Sequence, residues 1–130
     1  MTTSGGWLGE TPDLLEAARA ALRGEVMPAV APERRYQAAM VANAIGIAAR
    51  EVRQGAAARE AERADLAAFY AADGGTSLVE LRRRLCGELR AGDLGGTAVD
   101  GRLRGLLLAA TRRRLAISNP DHLARHSGPG

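Results

Sequence analysis

The chain has 130 residues, of which 46% are hydrophobic and 25% are charged, a balance typical of a globular domain rather than a disordered chain. All eighteen basic residues are arginine and only one cysteine is present, which excludes catalysis through a lysine amine, an intrachain disulfide and a thiolate metal cluster. Fifteen acidic residues interleave with the arginines and leave a net charge of +3, which argues against a nucleic-acid surface with cations gathered on one face.

The first predicted helix runs from about Pro12 to Glu25, and residues 1–11 are expected to form a flexible N-terminus. Thr11 carries the side-chain oxygen of an N-cap, and proline is favoured at the first helical position. Apolar residues then recur at three- and four-residue spacing, which places them on one helix face. These residues are Leu15, Ala18, Leu22 and Val26.

The second predicted helix, from about Pro32 to Gln54, is apolar or small on nearly all sides. Large apolar side chains form two of its faces, and a third strip contains only small residues. A helix without a polar face is normally surrounded by other helices. We therefore predict that this helix is the central element, and that a neighbouring helix closely approaches its small strip, which consists of Ala39, Ala42, Gly46 and Ala49.

Three further helices are predicted after Gly55. The sequence Ser77-Leu-Val-Glu80 has the spacing of a capping box, and Asn119-Pro120 ends the last helix because proline disfavours helix at the preceding residue. The predicted ranges are about 57–72, 77–92 and 97–118.

No alternating β pattern of useful length occurs in the sequence. The predicted fold is therefore all-α, a compact antiparallel bundle of about five helices with a central helix near 32–54. We expect one helical domain over residues 12–123, followed by a disordered tail over 124–130.

Nothing in the sequence predicts a membrane segment. The longest uncharged run, Tyr36 to Ala49, has fourteen residues, whereas a transmembrane helix needs about 20. The first nine residues contain neither a basic residue nor an apolar block, unlike a signal peptide. We expect a cytoplasmic protein without a membrane partner.

Four blocks of helix-packing residues stand out together in the sequence. They lie at 14–28, 35–45, 85–94 and 114–120 and include Leu14-Leu-Glu-Ala-Ala-Arg19, Arg35-Tyr-Gln-Ala-Ala-Met40 and Arg114-Leu-Ala-Ile-Ser-Asn-Pro120. With them, about Asp13 to Leu123 resembles a bacterial family of helical domains of unknown function. Members of that family are typically encoded beside, or fused behind, phosphotransferases similar to aminoglycoside kinases, near acyl-CoA dehydrogenases. The resemblance implies an accessory domain for a kinase-like partner in acyl-CoA metabolism, and it carries over no catalytic residue.

Asn43 shares a face with Tyr36, Met40 and Ile47 of the predicted central helix, so we expect it to be buried. A buried amide without a partner costs about 1–3 kcal/mol. The main interpretation is a hydrogen bond between helices that fixes their register. The alternative is a polar contact inside a small-ligand pocket.

Arg114 falls on the apolar stripe of the last predicted helix. Its guanidinium must pair with a carboxylate, for which Glu51 and Glu62 are candidates, or the helix must leave the core by that turn. A structural salt bridge is the main interpretation. A receptor for a phosphate or carboxylate is the alternative.

The remaining candidates favour structural interpretations. Consecutive arginines fan out around a helix, so each cluster is interpreted as a solvated face rather than a nucleic-acid or phosphate site. Two histidines four residues apart lack the accompanying ligands of a zinc site, and the cysteine borders a leucine stripe. No phosphate-binding glycine loop or other cofactor motif is present. The residues concerned are Arg34, Arg35, Arg82, Arg83, Arg84, Arg112, Arg113, Arg114, His122, His126 and Cys86.

We therefore predict a non-catalytic interaction domain that acts with a phosphotransferase-like kinase or by self-association, and not an enzyme. The alternative is a small-molecule binding protein or unrecognised enzyme, with an acyl-CoA or phosphorylated ligand near Asn43 and Arg114. Nucleic-acid binding is a third hypothesis, and it would require affinity that falls steeply with salt.

Overall fold

The computed structural model describes the backbone of residues 6–127 and the side chains of residues 13–127. These residues form five α-helices and no strand, which confirms the predicted all-α class. The predictions for residues 1–5 and 128–130 lie outside the described part. The helices are α1 (Gly6–Ala21), α2 (Arg35–Tyr70), α3 (Leu78–Ala91), α4 (Thr97–Ser118) and α5 (Pro120–His126).

The chain divides into two compact units, and the single domain expected over 12–123 stays a prediction. The first unit ends at Gly55 and the second begins at Ala56, so the division falls within α2. The first unit contains α1 and the N-terminal half of α2. The second contains the C-terminal half of α2 together with α3, α4 and α5.

Helix α2 is the largest departure from the sequence prediction. It runs for 36 residues without interruption, about 54 Å at 1.5 Å per residue, so the second and third predicted helices are one. Gly55 does not end it, because a glycine inside a helix costs only about 1 kcal/mol relative to alanine. The flanking Gln54, Ala56, Ala57 and Ala58 offset that cost, since they form helix readily.

In the first unit, α1 packs antiparallel to α2 on the strip of small residues. Arg19 lies against Gly46, where a built Cβ would be 3.0 Å from the arginine Nε. Ala42 and Ala49 on the same strip are completely buried. The close approach predicted for this strip is confirmed. Two short 3-10 turns, Met27–Ala29 and Pro32–Arg34, connect the helices around the two prolines that bracket the predicted turn.

The core of the second unit is a leucine cluster contributed by three helices. Leu66 of α2 and Leu81 of α3 are 1% and 2% exposed. Phe69 and Leu106 pack against the cluster from its edge. Three- and four-residue spacing places these side chains on the inward faces of their helices. The cluster consists of Leu66, Ala67, Leu81, Leu85 and Leu103.

The predicted capping box at the start of α3 is confirmed. The Ser77 hydroxyl accepts a hydrogen bond from the Glu80 amide at 3.2 Å, and the Glu80 carboxylate accepts one from the Ser77 amide at 3.0 Å. The helix ends at Gly92, whose φ of +72° is a left-handed conformation that glycine adopts without a steric cost. These signals are local in sequence, which is why the sequence reveals them.

At both ends of the described part, the helix boundaries differ from the predicted ones. Helix α1 begins at Gly6, so Thr11 is not its N-cap and Pro12 is its seventh residue instead of its first. At the other end α4 stops at Ser118 as predicted, but Pro120 then starts α5, which extends to His126. Asn119 caps this helix by accepting a hydrogen bond from the His122 amide. Asn119-Pro120 therefore both ends α4 and begins α5.

Candidate functional site

The predicted burial of Asn43 is wrong, and Arg114 also lies on the protein surface. Asn43 lies on α2 beside the buried alanine strip, one residue after Ala42, and its side chain is exposed. It belongs to the first unit. Arg114 belongs to the second unit, near the end of α4, and its side chain is exposed although Ile117, one turn later, is buried. Because both side chains are exposed, neither requires an internal hydrogen-bond partner.

Glu62 forms an ion pair, but its partner is Arg82 rather than Arg114. The Arg82 Nε and Nη2 atoms donate to the two carboxylate oxygens at 2.8 and 2.5 Å, which is the two-pronged geometry that favours arginine over lysine. The hydrogen bond raises the pKa of Arg82. This pair joins α2 to α3. The fourth candidate, Glu51, is half-buried on α2.

The predicted enclosure of helix 32–54 is wrong, because large apolar side chains on this part of α2 lie in solvent. They fall within about 160° of the helix circumference at 100° per residue, and we call them the α2 face. Their exposed fractions are 74% for Tyr36, 55% for Met40, 52% for Val41 and 48% for Val52.

The α2 face is exposed because α1 covers the opposite side of the helix. Arg53 on that side forms ion pairs with Asp13 at 3.0 Å and Glu16 at 3.6 Å of α1. The four buried residues among the described side chains of this unit are all alanine or glycine: Ala42, Gly46, Ala49 and Gly55. A single helix packed on a small strip leaves the large apolar residues of the α2 face about half exposed or more.

A second cluster joins the C-terminal end of α2 to α3. The Tyr70 hydroxyl donates to the Glu88 carboxylate at 2.6 Å, and the Arg84 guanidinium lies 4.0 Å from the centre of the tyrosine ring. Burial and the bond to Glu88 raise the pKa of Tyr70 to about 12, while that bond and Arg84 lower the pKa of Glu88. A phenol with so high a pKa is a poor general base at neutral pH, so this cluster positions helices.

The arginine clusters fan out as the sequence predicted. In the first cluster Arg82 pairs with Glu62, whereas its neighbour Arg84 pairs with Glu88 on α3 itself at 3.2 Å. In the last cluster Arg113 pairs with Asp65 at 2.9 Å. In each of these ion pairs a carboxylate compensates the positive charge of the arginine. The clusters therefore do not form continuous cationic stripes.

Titratable groups elsewhere do not assemble into a metal centre within the described part of the chain. His122 and His126 stack with ring centres 4.1 Å apart, and His126 Nδ1 lies 2.9 Å from the His122 carbonyl oxygen. Cys86 is exposed on the outer side of α3, not packed as predicted. No helix in residues 6–127 has the length and apolar character needed to cross a bilayer.

Sequence reasoning identified the residues of the α2 face but assigned them to the interior. Their helical spacing shows that they share a face, which is the signal that could have found them. Spacing does not show whether another part of the chain covers that face.

Comparison with known sequences gives a family but no activity. The sequence profile of DUF6285, a domain of unknown function, matches residues 28–122. The match begins after α1 and contains the α2 face. No curated protein and no protein of solved structure matches this chain.

Proposed function

This chain belongs to DUF6285, a family of domains of unknown function, and we propose that it is a non-catalytic interaction domain that binds a partner protein through the α2 face. The observation that carries the proposal is the exposure of Tyr36, Met40, Val41 and Val52 on one side of a single helix. Large apolar side chains grouped on an exposed surface are characteristic of sites where proteins associate.

The energetics of the first unit favour a partner. Burial of apolar surface stabilises a fold by about 25 cal/mol per Å², yet the described side chains of this unit bury only alanine and glycine completely. A second protein that covered the α2 face would remove a tyrosine, a methionine and two valines from water. Tyrosine and methionine are enriched at protein interfaces, where they supply large contact areas.

We propose a phosphotransferase-like kinase as the partner, acting in acyl-CoA metabolism. The resemblance of residues 13–123 to helical domains found with such kinases supports this choice. A helical accessory domain needs an apolar face for docking and no reactive centre of its own. The sequence, which has no lysine and no cysteine cluster, agrees with such a role. Association of two copies through the same face is the second form of the proposal.

Co-expression with a kinase-like protein encoded next to this gene tests the proposal. Met40→Glu places a charge in the α2 face, and Val79→Glu is the matched control, because these side chains are 55% and 56% exposed and lie on different helices. We expect the wild type and Val79→Glu to co-purify with the kinase and Met40→Glu to lose it. Sedimentation of the chain alone, with the same variants, distinguishes pairing between two copies.

Retention of the kinase by Met40→Glu would overturn the docking assignment. Failure of every kinase-like neighbour to bind, together with a monomer at all concentrations, would overturn the proposed function itself. Circular dichroism of each variant establishes that the fold is intact, since substitutions at exposed helix positions normally change stability by no more than about 0.5 kcal/mol.

A further inference from the structure

A groove of about 420 Å³ runs between α2 and α4 within the second unit, separate from the α2 face. Its volume falls in the range of about 300–1,000 Å³ that small-molecule sites occupy. Arg102 and Arg113 line it eleven residues apart on α4, about 16 Å along the helix axis. Phe69, Leu106 and Ala109 supply apolar walls between these arginines.

The charges in the groove are not balanced. Arg113 donates from Nη2 to Asp65 at 2.9 Å, so these two charges compensate each other. The Arg102 guanidinium lies 5.3 Å from the centre of the Phe69 ring, and within the described residues it has no carboxylate partner. A net positive charge beside an aromatic wall favours a ligand that carries a negative group.

Arg113, at the other end of the groove, is not available to a ligand anion. Its Nη2 atom is bonded to Asp65, and its Nη1 atom is enclosed and has no hydrogen-bond acceptor among the described residues. Arg102 is therefore the guanidinium of this groove that remains for an anionic group.

The floor of the groove is open at Gly105. A Cβ built on this glycine meets no atom within 4 Å. The helix backbone therefore lies at the surface of the groove, and a ligand can approach it closely.

We propose that this groove binds a small amphipathic anion, a molecule with one carboxylate or phosphate group and an apolar body. The anionic group pairs with Arg102, and the apolar body lies along Phe69, Leu106 and Ala109 towards Arg113. Asp65 at the Arg113 end disfavours ligands that carry negative charge along their whole length, such as nucleic acids. The site is independent of the α2 face.

Titration followed by ¹H–¹⁵N NMR tests the proposal with three probes of similar size. The probes are 3-phenylpropanoate, phenyl phosphate and the uncharged 3-phenylpropan-1-ol. We expect one or both anions to shift the Gly105 and Ala109 amide signals in a saturable manner, and the alcohol to bind at least tenfold more weakly. The stronger of the two anions identifies the preferred charged group.

Two variants locate the site, and a third controls for helix effects. Arg102→Gln should weaken the better anion at least tenfold, and Gly105→Leu should abolish its binding by filling the open floor. Gly87→Leu is the matched control, because Gly87 lies inside α3 with no atom within 4 Å of a built Cβ. It should bind the anion as the wild type does.

The proposal fails if neither anion produces saturable shifts, if the alcohol binds as tightly as the anions, or if Gly105→Leu binds the anion unchanged. All variants alter exposed or open positions, so their spectra should remain those of folded protein. None of them touches the α2 face, so the outcome is separate from that of the kinase experiment.

Discussion

Paired alanine substitutions at Tyr36 and Leu66 would measure directly which half of α2 is buried. Both residues lie on the same helix and both are apolar, but Tyr36 is 74% exposed whereas Leu66 is 1% exposed. Side-chain size alone would assign the larger loss to the tyrosine. The structure predicts the reverse order.

The expected magnitudes follow from burial. Leu66→Ala should cost about 2.7–5 kcal/mol of unfolding free energy, because it removes a transfer contribution and leaves a cavity in the leucine cluster. Full burial of a large apolar side chain is worth about 1.5–3 kcal/mol, and only 26% of Tyr36 is covered (100% minus 74%). Tyr36→Ala should therefore lose about 0.4–0.8 kcal/mol of burial, which the higher helix propensity of alanine largely offsets.

The assay is urea unfolding followed by circular dichroism at 222 nm, combined with hydrogen exchange of peptides from each unit. Hydrogen exchange is needed because the two units need not unfold together, and it assigns each loss of stability to its own unit. Leu66→Ala should accelerate exchange in α3, where Leu81 and Leu85 contact the same cluster. Tyr36→Ala should leave exchange in both units unchanged.

The reasoning fails if Tyr36→Ala costs more than about 2 kcal/mol, since a loss of that size is characteristic of an enclosed aromatic side chain. Such a result would mean that other residues of this chain cover the α2 face, and the proposed docking surface would no longer exist. A cost below about 1 kcal/mol for Leu66→Ala would equally contradict the position of the core.

Three further predictions concern the second unit. The pKa of Tyr70 is raised to about 12 from an ordinary value of 10.0. The stabilisation from its bond to Glu88 should therefore be present below pH 10.0 and disappear as the pH rises towards 12. Absorbance at 295 nm should show this high titration step in the wild type and not in Tyr70→Phe. The pKa of Glu88 is lowered, so its contribution to stability should be lost as the pH falls below 4.5. A Glu88→Gln variant whose melting temperature depends on acid pH in the same way as that of the wild type would contradict this. Ser77→Ala should lower the free energy of unfolding by about 1 kcal/mol, because it removes the cap of α3. Thermal melts should show a lower midpoint, and amide hydrogen exchange should be faster in the first turn of that helix. Equal hydrogen exchange in variant and wild type would show that the cap contributes nothing.

Sequence reasoning succeeded where the determining interactions are local. The capping box at Ser77, the end of α3 at Gly92 and the stop before Pro120 each depend on residues within one helical turn. The all-α class and the inward stripe of α3 depend on helical periodicity, which the sequence displays in full. The small strip of α2 also predicted a close neighbour, and Arg19 of α1 lies there.

Sequence reasoning failed where the outcome depends on competition between distant parts of the chain. Gly55 predicts the end of a helix, but α2 continues past it because residues that form helix readily lie on both sides. The apolar neighbours of Asn43 predict a buried amide, but its side chain lies in solvent beside the buried Ala42 and Gly46. The groove at Arg102 and Arg113 has no distinctive sequence signal, because it exists only where α2 and α4 come together.

The sequence by itself determined the helices, their caps and the side chains that are suitable for burial, because each of these is set by interactions within a few residues. Only the tertiary structure decided which of the apolar faces of α2 is covered. An amphipathic pattern shows which side chains would gain free energy by leaving water. Whether they are buried also depends on whether another helix of the chain covers that face. In the first unit α1 covers only the alanine strip, and Tyr36 and Met40 remain in water.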